Sequence, residues 1–291
     1  MKVSTNHVKR TWRIIDIIKW GEDYFKTKEF ENPKQEIEWL LCDLLGLKRI
    51  DLYVKFEDKI NDINLNKLKS WINRRVKREP LQYITGVTEF YGLKFKTTPQ
   101  ALIPRPETER LVEIALNSIG KNFDSKLLEI GSGSGCISIA ISNEIPSLNI
   151  LSLDISRDAL ALAETNAELN NCKNIKFLEM DFLNETPKGK FDFLISNPPY
   201  IPVKEIQQIM PEVKNYEPKM ALTDNNDGLT FYHRIAKKVR TLIKPKGIIL
   251  LEVGLGDHPL KVLSLFKEAG FNQLELIKDY NNNERILKIW I

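Results

Sequence analysis

The 291-residue sequence has three cysteines, Cys42, Cys136 and Cys172, too few and too scattered for a disulfide framework. That scarcity points to a reducing, cytoplasmic setting. None lies in a Cys-x-x-Cys pair and the three histidines form no His-x-His pair, so no spacing suggests zinc and no metal is expected. Long hydrophobic runs are missing too. None reaches the roughly 18 residues of a membrane span, and the start, Met1 to His7, leads to no uninterrupted apolar core of signal-peptide type. A soluble protein without a membrane partner is expected. Neither sign of charge dominates: the net +4 is spread along the chain, shows no nucleic-acid patch and requires no direct nucleic-acid partner. Internal repeats and low-complexity segments are absent. What is present, 42% hydrophobic and 28% charged residues, is ordinary for a globular protein, and the length suggests about two domains.

Residues 8 to 78 read as helices only, which predicts a small N-terminal all-α domain over residues 1 to 78. Trp12, Ile15 and Ile18 give one apolar stripe, widened by Ile14 and Ile17, and Gly21 interrupts it. Asn32-Pro33-Lys34-Gln35 resembles a helix start, with Asn32 as cap, Pro33 at the first helical position and Gln35 where a capping-box partner belongs. Ile37, Leu40, Leu41 and Leu44 follow at core spacing, and Leu65, Leu68, Trp71, Ile72 and Val76 make another such face. The basic residues beside it, Lys67, Lys69, Arg74, Arg75, Lys77 and Arg78, read as a solvated flank. Over residues 79 to 102 the period changes. Pro80, Gly86 and Gly92 punctuate short runs such as Leu81-Gln82-Tyr83-Ile84 and Leu93-Lys94-Phe95-Lys96, and the alternation in the second predicts a β-hairpin linker between domains.

Residues 103 to 291 predict an α/β domain. The two prolines of Ile103-Pro104-Arg105-Pro106-Glu107-Thr108-Glu109 fix an extended approach to a helix reaching about Ile119, with acidic residues in its first turn. Strands and helices then alternate in the manner of a parallel sheet. Strands are expected at Leu127 to Ile130, Asn149 to Leu153, Ile175 to Glu179, Phe191 to Ser196 and Gly247 to Val253, and Ser156 as the cap of a helix reaching about Asn170. The runs Leu274 to Ile277 and Ile286 to Ile291 flank Asn281-Asn282-Asn283 and predict a closing hairpin. Residues 201 to 227 show no clear period, and a structureless connection of that length is usually a lid or binding loop.

Two stretches carry chemistry. Gly131-Ser132-Gly133-Ser134-Gly135 turns from the first strand into a helix near Cys136, so backbone N–H groups and a helix N-terminus can approach a ligand closely. The dinucleotide fingerprint needs a small residue at position 136, where Cys136 stands; the pattern is instead Glu-x-Gly-x-Gly-x-Gly from Glu129. Asp154, about 20 residues on at the end of the next strand, is where a carboxylate takes both ribose hydroxyls. Adenosine binding is expected, without a pyrophosphate. The second stretch is Asn197-Pro198-Pro199-Tyr200, just past a buried strand. Its prolines lack N–H groups and form a stiff corner whose carbonyls only accept hydrogen bonds. A planar NH2 group suits it: one hydrogen goes to the Asn197 side-chain oxygen, the other to the Pro198 carbonyl, and the Tyr200 ring lies on the flat face. These four residues alone are equally a Pro-Pro turn ending a strand.

Together these features resemble the class I S-adenosylmethionine-dependent methyltransferases over residues 104 to 291. The resemblance implies a Rossmann-like, mostly parallel sheet with an antiparallel C-terminal strand. It also implies S-adenosylmethionine as cofactor, with Gly131, Ser132, Gly133, Ser134 and Gly135 as its glycine loop, Asp154 as ribose acid, Phe182 bordering the adenine and Asn197 beside it. Within this fold Asn197-Pro198-Pro199-Tyr200 resembles the substrate corner of amino-methyltransferases, and these four residues are expected to be catalytic. Over nearly the whole chain, six blocks in order look like the peptide chain release factor glutamine methyltransferases, the PrmC/HemK family: Pro80 to Ile84, Glu89 to Gly92, Ile103 to Glu109, Asn197 to Pro202, Tyr216-Glu217-Pro218 and Asp227 to Tyr232. The substrate so implied is the glutamine of the Gly-Gly-Gln loop of class 1 release factors, with the helical domain recognising it. Departures are small: Glu129 stands where Asp is frequent and Phe182 where Trp is frequent. Relatives acting on a ribosomal-protein glutamine lack the Pro106-Glu107-Thr108-Glu109 ending. Three other readings stay open: an adenine amino-methyltransferase, which calls for a basic groove, a NAD-dependent dehydrogenase, and a non-catalytic adapter.

Overall fold

The computed structural model describes residues 11 to 120 and 125 to 291; the signal-peptide reading of the first residues lies outside them. The chain divides into two compact units between Thr85 and Gly86.

In the first unit, apolar residues three and four apart form helices that bury one face each. They are α1 (Ile14–Lys26), α2 (Pro33–Leu45), α3 (Arg49–Val54), α4 (Asp62–Arg75) and α5 (Leu81–Thr85). The core joins Ile14, Ile17, Ile18 and Phe25 to Ile37, Leu40, Leu41, Leu52, Leu68, Trp71 and Ile72. The buried stripe of α1 thus runs through Ile14, Ile17, Ile18 and Gly21, while Ile15 and Trp12 are only half-buried. Gly21 does not interrupt the helix. A Cβ there would lie 2.4 Å from Ile37 Cγ1, so glycine is what lets α1 and α2 approach. Helix α2 begins at Pro33 with Asn32 as N-cap, but the Asn32 side chain makes no capping bond.

The basic flank of α4 is not simply solvated. Arg75 is buried and pairs through Nε and Nη2 with both oxygens of Glu36, at 2.7 and 2.8 Å. Arg74 holds Glu79 and the carbonyls of Tyr83 and Ile84, and Arg78 holds the carbonyls of Lys28 and Glu29. Guanidinium forks reach several acceptors at once, which is why the arginines turn inward while Lys67 and Lys69 stay exposed.

The second unit opens with a hairpin, β1 (Val87–Phe90) and β2 (Leu93–Lys96), paired antiparallel. The run at Leu81 to Ile84 is the helix α5, not part of this hairpin. Phe90 and Phe95 pack in one cluster with Leu111 and Val112, so the hairpin belongs to the second unit and is not a free-standing linker. There follow α6 (Pro106–Ile119), β3 (Lys126–Ile130), α7 (Cys136–Glu144), β4 (Asn149–Asp154), α8 (Arg157–Leu169), β5 (Ile175–Glu179) and β6 (Phe191–Ser196). Residues 201 to 227 are not structureless: a 3-10 turn (Val203–Gln208), α9 (Pro211–Tyr216) and α10 (Lys219–Leu222) fill them. The chain ends with α11 (Thr230–Leu242), β7 (Ile243–Glu252), α12 (His258–Glu268), β8 (Leu274–Lys278) and β9 (Glu284–Trp290). Helix α12, which the strand-centred sequence pattern passes over, buries Val262, Leu265 and Phe266.

The seven strands lie in the order β5-β4-β3-β6-β7-β9-β8. The first five are parallel, and β9 runs antiparallel between β7 and β8. Successive strand residues point to opposite faces. Leu128, Leu194 and Ile249 therefore pack with Tyr232, Val239 and Phe266 on one face, and Leu127, Phe193 and Leu250 with Leu111, Ile137 and Ile141 on the other. The chain leaves β3 for β4 on one side and returns to β6 on the other, a topological switch point where ligands bind in open α/β sheets. The residues at those three strand ends are Gly131, Asp154 and Asn197. Among the described residues no helix is long and apolar enough to cross a membrane.

Gly21→Ala should destabilise the protein by about 1–3 kcal/mol despite alanine's better helix propensity, because the added methyl overpacks the α1–α2 crossing. Chemical denaturation should show the Gly21→Ala/Ile37→Ala double variant losing less than the sum of the two single losses.

Candidate active site

The turn after β3 closes because its glycines take left-handed conformations: φ is +82° at Gly131, +53° at Gly133 and +80° at Gly135. The Leu153 carbonyl accepts from the N–H groups of Gly131 and Ser132, at 2.8 and 2.9 Å. A Cβ at Gly135 would lie 2.9 Å from Ile139 and 3.0 Å from Ala163, so this glycine seats α7 against α8 and does not line the cavity described below. Asp154 completes the turn, its Oδ2 accepting from Gly133 N at 2.8 Å and its Oδ1 from Ser156 N at 2.9 Å. Burial pushes this carboxyl up from its ordinary range, opposed by those N–H donors. Each oxygen keeps a further lone pair for a ribose hydroxyl. Beneath the loop Glu129 is fully buried, accepts from the Ser138 and Ser152 hydroxyls, and is pushed up to about 7 by desolvation.

A cavity of about 350 Å³ opens at these strand ends, within the roughly 300–1,000 Å³ usual for ligand pockets. Gly131, Ser132, Gly133, Ser134, Asp154 and Phe182 line it, as do Asn197, Pro198 and Pro199. Ile155 and Met180, which sequence inspection does not single out, add apolar wall beside Asp154. The signal for Ile155 lies in its exposure: an isoleucine 51% exposed immediately after Asp154 leaves an apolar surface on the cavity. A carboxylate, apolar walls and a glycine-rich turn on one cavity fit the donor set S-adenosylmethionine requires.

The corner after β6 is held from behind. Asn197 Nδ2 donates to Thr108 Oγ1 at 3.2 Å, and the Thr108 hydroxyl donates to Glu252 Oε2 at 2.7 Å. Arg285 Nη2 reaches Glu252 Oε1 at 3.0 Å and the Tyr200 hydroxyl at 3.1 Å. Burial pushes the Glu252 carboxyl up while the Arg285 guanidinium opposes it. The sequence pattern puts the Tyr200 ring on a substrate amide. In the structure Tyr200 does not line the cavity; its hydroxyl faces Arg285 and Glu252 and its ring lies 5.8 Å from that of His258. His258 Nδ1 accepts from Gly254 N at 3.0 Å, so its Nε2 carries the proton toward the Gly228 carbonyl at 3.3 Å. A Cβ at Gly228 would lie 2.2 Å from the Tyr200 carbonyl oxygen, so only glycine admits this close approach.

Blocks far apart in sequence meet here. Arg105 pairs with the buried Glu217, which also accepts from Ile103 N at 3.2 Å, and Glu109 accepts from Tyr91 N at 2.8 Å. Thr108, Glu252 and Arg285 are absent from the sequence-based site. Their signal is a charged residue inside each of two apolar strands, legible only once those strands are known to be neighbours.

Residues 16–86 match the family described as PrmC N-terminal domain, and residues 109–214 the one described as Methyltransferase small domain. The release factor glutamine methyltransferase of Geobacter sulfurreducens is 38% identical over 276 residues, covering 95% of this chain and 96% of the relative. That of Fusobacterium nucleatum is 38% identical over 275 residues, covering 94% and 77%. Among solved structures, a methyltransferase from Pyrococcus furiosus has the same fold, with a TM-score of 0.50, 15% identity, and coverage of 79% of this chain and 98% of that one.

Asp154→Asn should weaken S-adenosylmethionine binding about 10- to 100-fold in a calorimetric titration, the scale of a charged hydrogen-bond partner. Glu129 generates a pH dependence. A carboxyl near 4.5 when unfolded and about 7 when folded makes the fold progressively less stable as pH rises between those values, by about 3 kcal/mol in all. Glu129→Gln should therefore melt above the unmodified protein at pH 8, with the gap closing toward pH 4.5.

Proposed function

The chain belongs to the release factor glutamine methyltransferase family, and we propose that its substrate is the glutamine of the Gly-Gly-Gln motif in class 1 peptide chain release factors. The methyl group of S-adenosylmethionine goes to the side-chain amide nitrogen, and S-adenosylhomocysteine is released. One observation carries this reading: Asn197 and Pro198, an acceptor-only corner, open on the same cavity as Asp154 and the glycine loop.

The loop of Gly131 to Ser134, Asp154 and the walls at Ile155 and Phe182 hold the cofactor, with Asn197 at its edge. When bound, S-adenosylmethionine supplies a methyl group on a sulfonium sulfur, an electrophile that needs no covalent help. The chain's own residues act on the nucleophile. An amide nitrogen is weak because its lone pair is delocalised into the carbonyl. The Asn197 Oδ1 and the Pro198 carbonyl each accept one of its hydrogens, which fixes the nitrogen in line; orientation of this kind is worth on the order of 7 kcal/mol. The nitrogen becomes positive as its new bond forms and the methyl–sulfur bond breaks, and acceptors already aimed at it stabilise that charge more than the neutral amide. The product is neutral once one N–H hydrogen leaves as a proton to solvent. Pro199 keeps the corner rigid, and Tyr200 braces it from behind through Arg285.

The helical unit, residues 1 to 78 in the sequence reading, is assigned recognition of the release factor, for which its exposed Trp39, Tyr53, Val54 and Phe56 offer apolar contact. No nucleic acid is required directly, consistent with the small net charge of +4. The reaction is placed in the cytoplasm, where release factors work.

Incubation with labelled S-adenosylmethionine and a purified release factor tests the reading. Label should appear on the intact factor and not on one whose loop glutamine is replaced; label on both would refute it. Asn197→Ala should lower kcat by about 10²-fold or more, the scale for loss of one preorganised hydrogen-bonding group, and lower cofactor affinity far less. Stopped-flow turnover and calorimetry separate the two.

A further inference from the structure

We infer that Thr108 and Glu252 are positioning residues whose hydrogen-bond polarity dictates which end of the Asn197 amide meets the substrate. The inference rests on the glutamine-methylating role given to Asn197 above and extends it to Thr108, at the cavity wall, and to Glu252 behind it.

The two ends of a carboxamide are nearly identical in shape, so sterics alone leave Asn197 free to present either Oδ1 or Nδ2 to the cavity. Only Oδ1 serves the reaction. An inverted amide would set NH2 against NH2 and lose the acceptor that holds the substrate nitrogen. The bias comes from a chain of buried groups running back from Asn197. Arg285 can only donate, and its Nη2 lies 3.0 Å from Glu252 Oε1. Beside that cation Glu252 acts as an acceptor, and its Oε2 takes the one proton of the Thr108 hydroxyl at 2.7 Å. Thr108 Oγ1 then has only lone pairs to offer Asn197, 3.2 Å away. It accepts from Nδ2 and would repel Oδ1, so the amide is turned with Oδ1 as its unengaged end on the cavity side.

Burial makes this bias effective. Thr108 and Glu252 are each 2% exposed and Arg285 7%, so no bulk water can supply the missing donor or acceptor if one link is reversed. The three come from the start of α6 and from neighbouring strands β7 and β9, which fixes their spacing through the sheet.

The test is a substitution series at Thr108 in the full-length protein, assayed with S-adenosylmethionine and a release factor. Thr108→Ser keeps the hydroxyl and should retain kcat within a few-fold. Thr108→Cys, nearly the same shape but a weak donor and acceptor, and Thr108→Val, without either capacity, should lower kcat roughly tenfold to a hundredfold, the cost of a misplaced catalytic group. Calorimetry should find S-adenosylmethionine affinity unchanged across the series. If Thr108→Val does not fold, the Ser and Cys forms still decide the matter. Equal kcat in those two, or a loss of cofactor affinity matching the loss of kcat, would overturn the inference while leaving the proposed reaction standing. Failure of the unmodified enzyme to label the factor would overturn both.

Discussion

A carboxylate taken wholly out of water has to be partnered on every side, because leaving it bare costs several kcal/mol. Glu252, at the end of β7, is in that position, and the corner that follows β6 is arranged by the way its needs are met. Arg285 from β9 and Thr108 from α6 satisfy its side chain, and Tyr232 donates to its backbone carbonyl at 2.6 Å. The antiparallel C-terminal strand gains a purpose from this arrangement. Inserted between β7 and β8, β9 brings a guanidinium beside Glu252 that none of the parallel strands supplies.

The same sheet explains why the cavity collects residues so distant in sequence. Reversal of strand order at β3 leaves the turns after β3, β4 and β6 open on one edge, and these turns carry Gly131, Asp154 and Asn197. The segments that close over them are tied down by charge pairing: Arg105 on Glu217 brings the approach to α6 against the chain entering α10. Asn166 fastens the hairpin in a similar way, accepting from Lys96 N at 2.7 Å while donating to the Ser134 carbonyl at 3.0 Å. One buried amide thereby links β2, α8 and the glycine loop.

How much of this the sequence discloses depends on how local each determinant is. The central parallel strands appear as apolar runs and the edge strand β5 as a shorter alternating one, so all five are visible, and so are the glycine turn and Asp154 after them. Proline at the first helical position marks α2 and α6 for the same local reason. The short helices α9 and α10 escape notice because a helix of one or two turns is too short to establish a period. Gly21 looks like a helix breaker because its reason for being glycine, the Ile37 side chain on another helix, is not local. Arg74 and Arg75 look solvated because their acceptors lie on other segments. Tyr200 is legible as part of the corner but not in its direction, which is set by Arg285, far along the chain.

The corner's selectivity follows from what has been removed from it. Positions 198 and 199 carry no N–H because both are proline. The Asn197 Nδ2 donor is committed to Thr108. On the proposed reading the substrate nitrogen meets Asn197 Oδ1 and the Pro198 carbonyl. A side-chain amide brings two hydrogens to such a surface and is held. A glutamate of the same length brings lone pairs alone, and a site built to bind N–H groups rejects a partner lacking them by factors of about 10⁴. On that reading, discrimination between glutamine and glutamate comes from the acceptors at this corner, which two prolines and one buried threonine keep clear of competing donors.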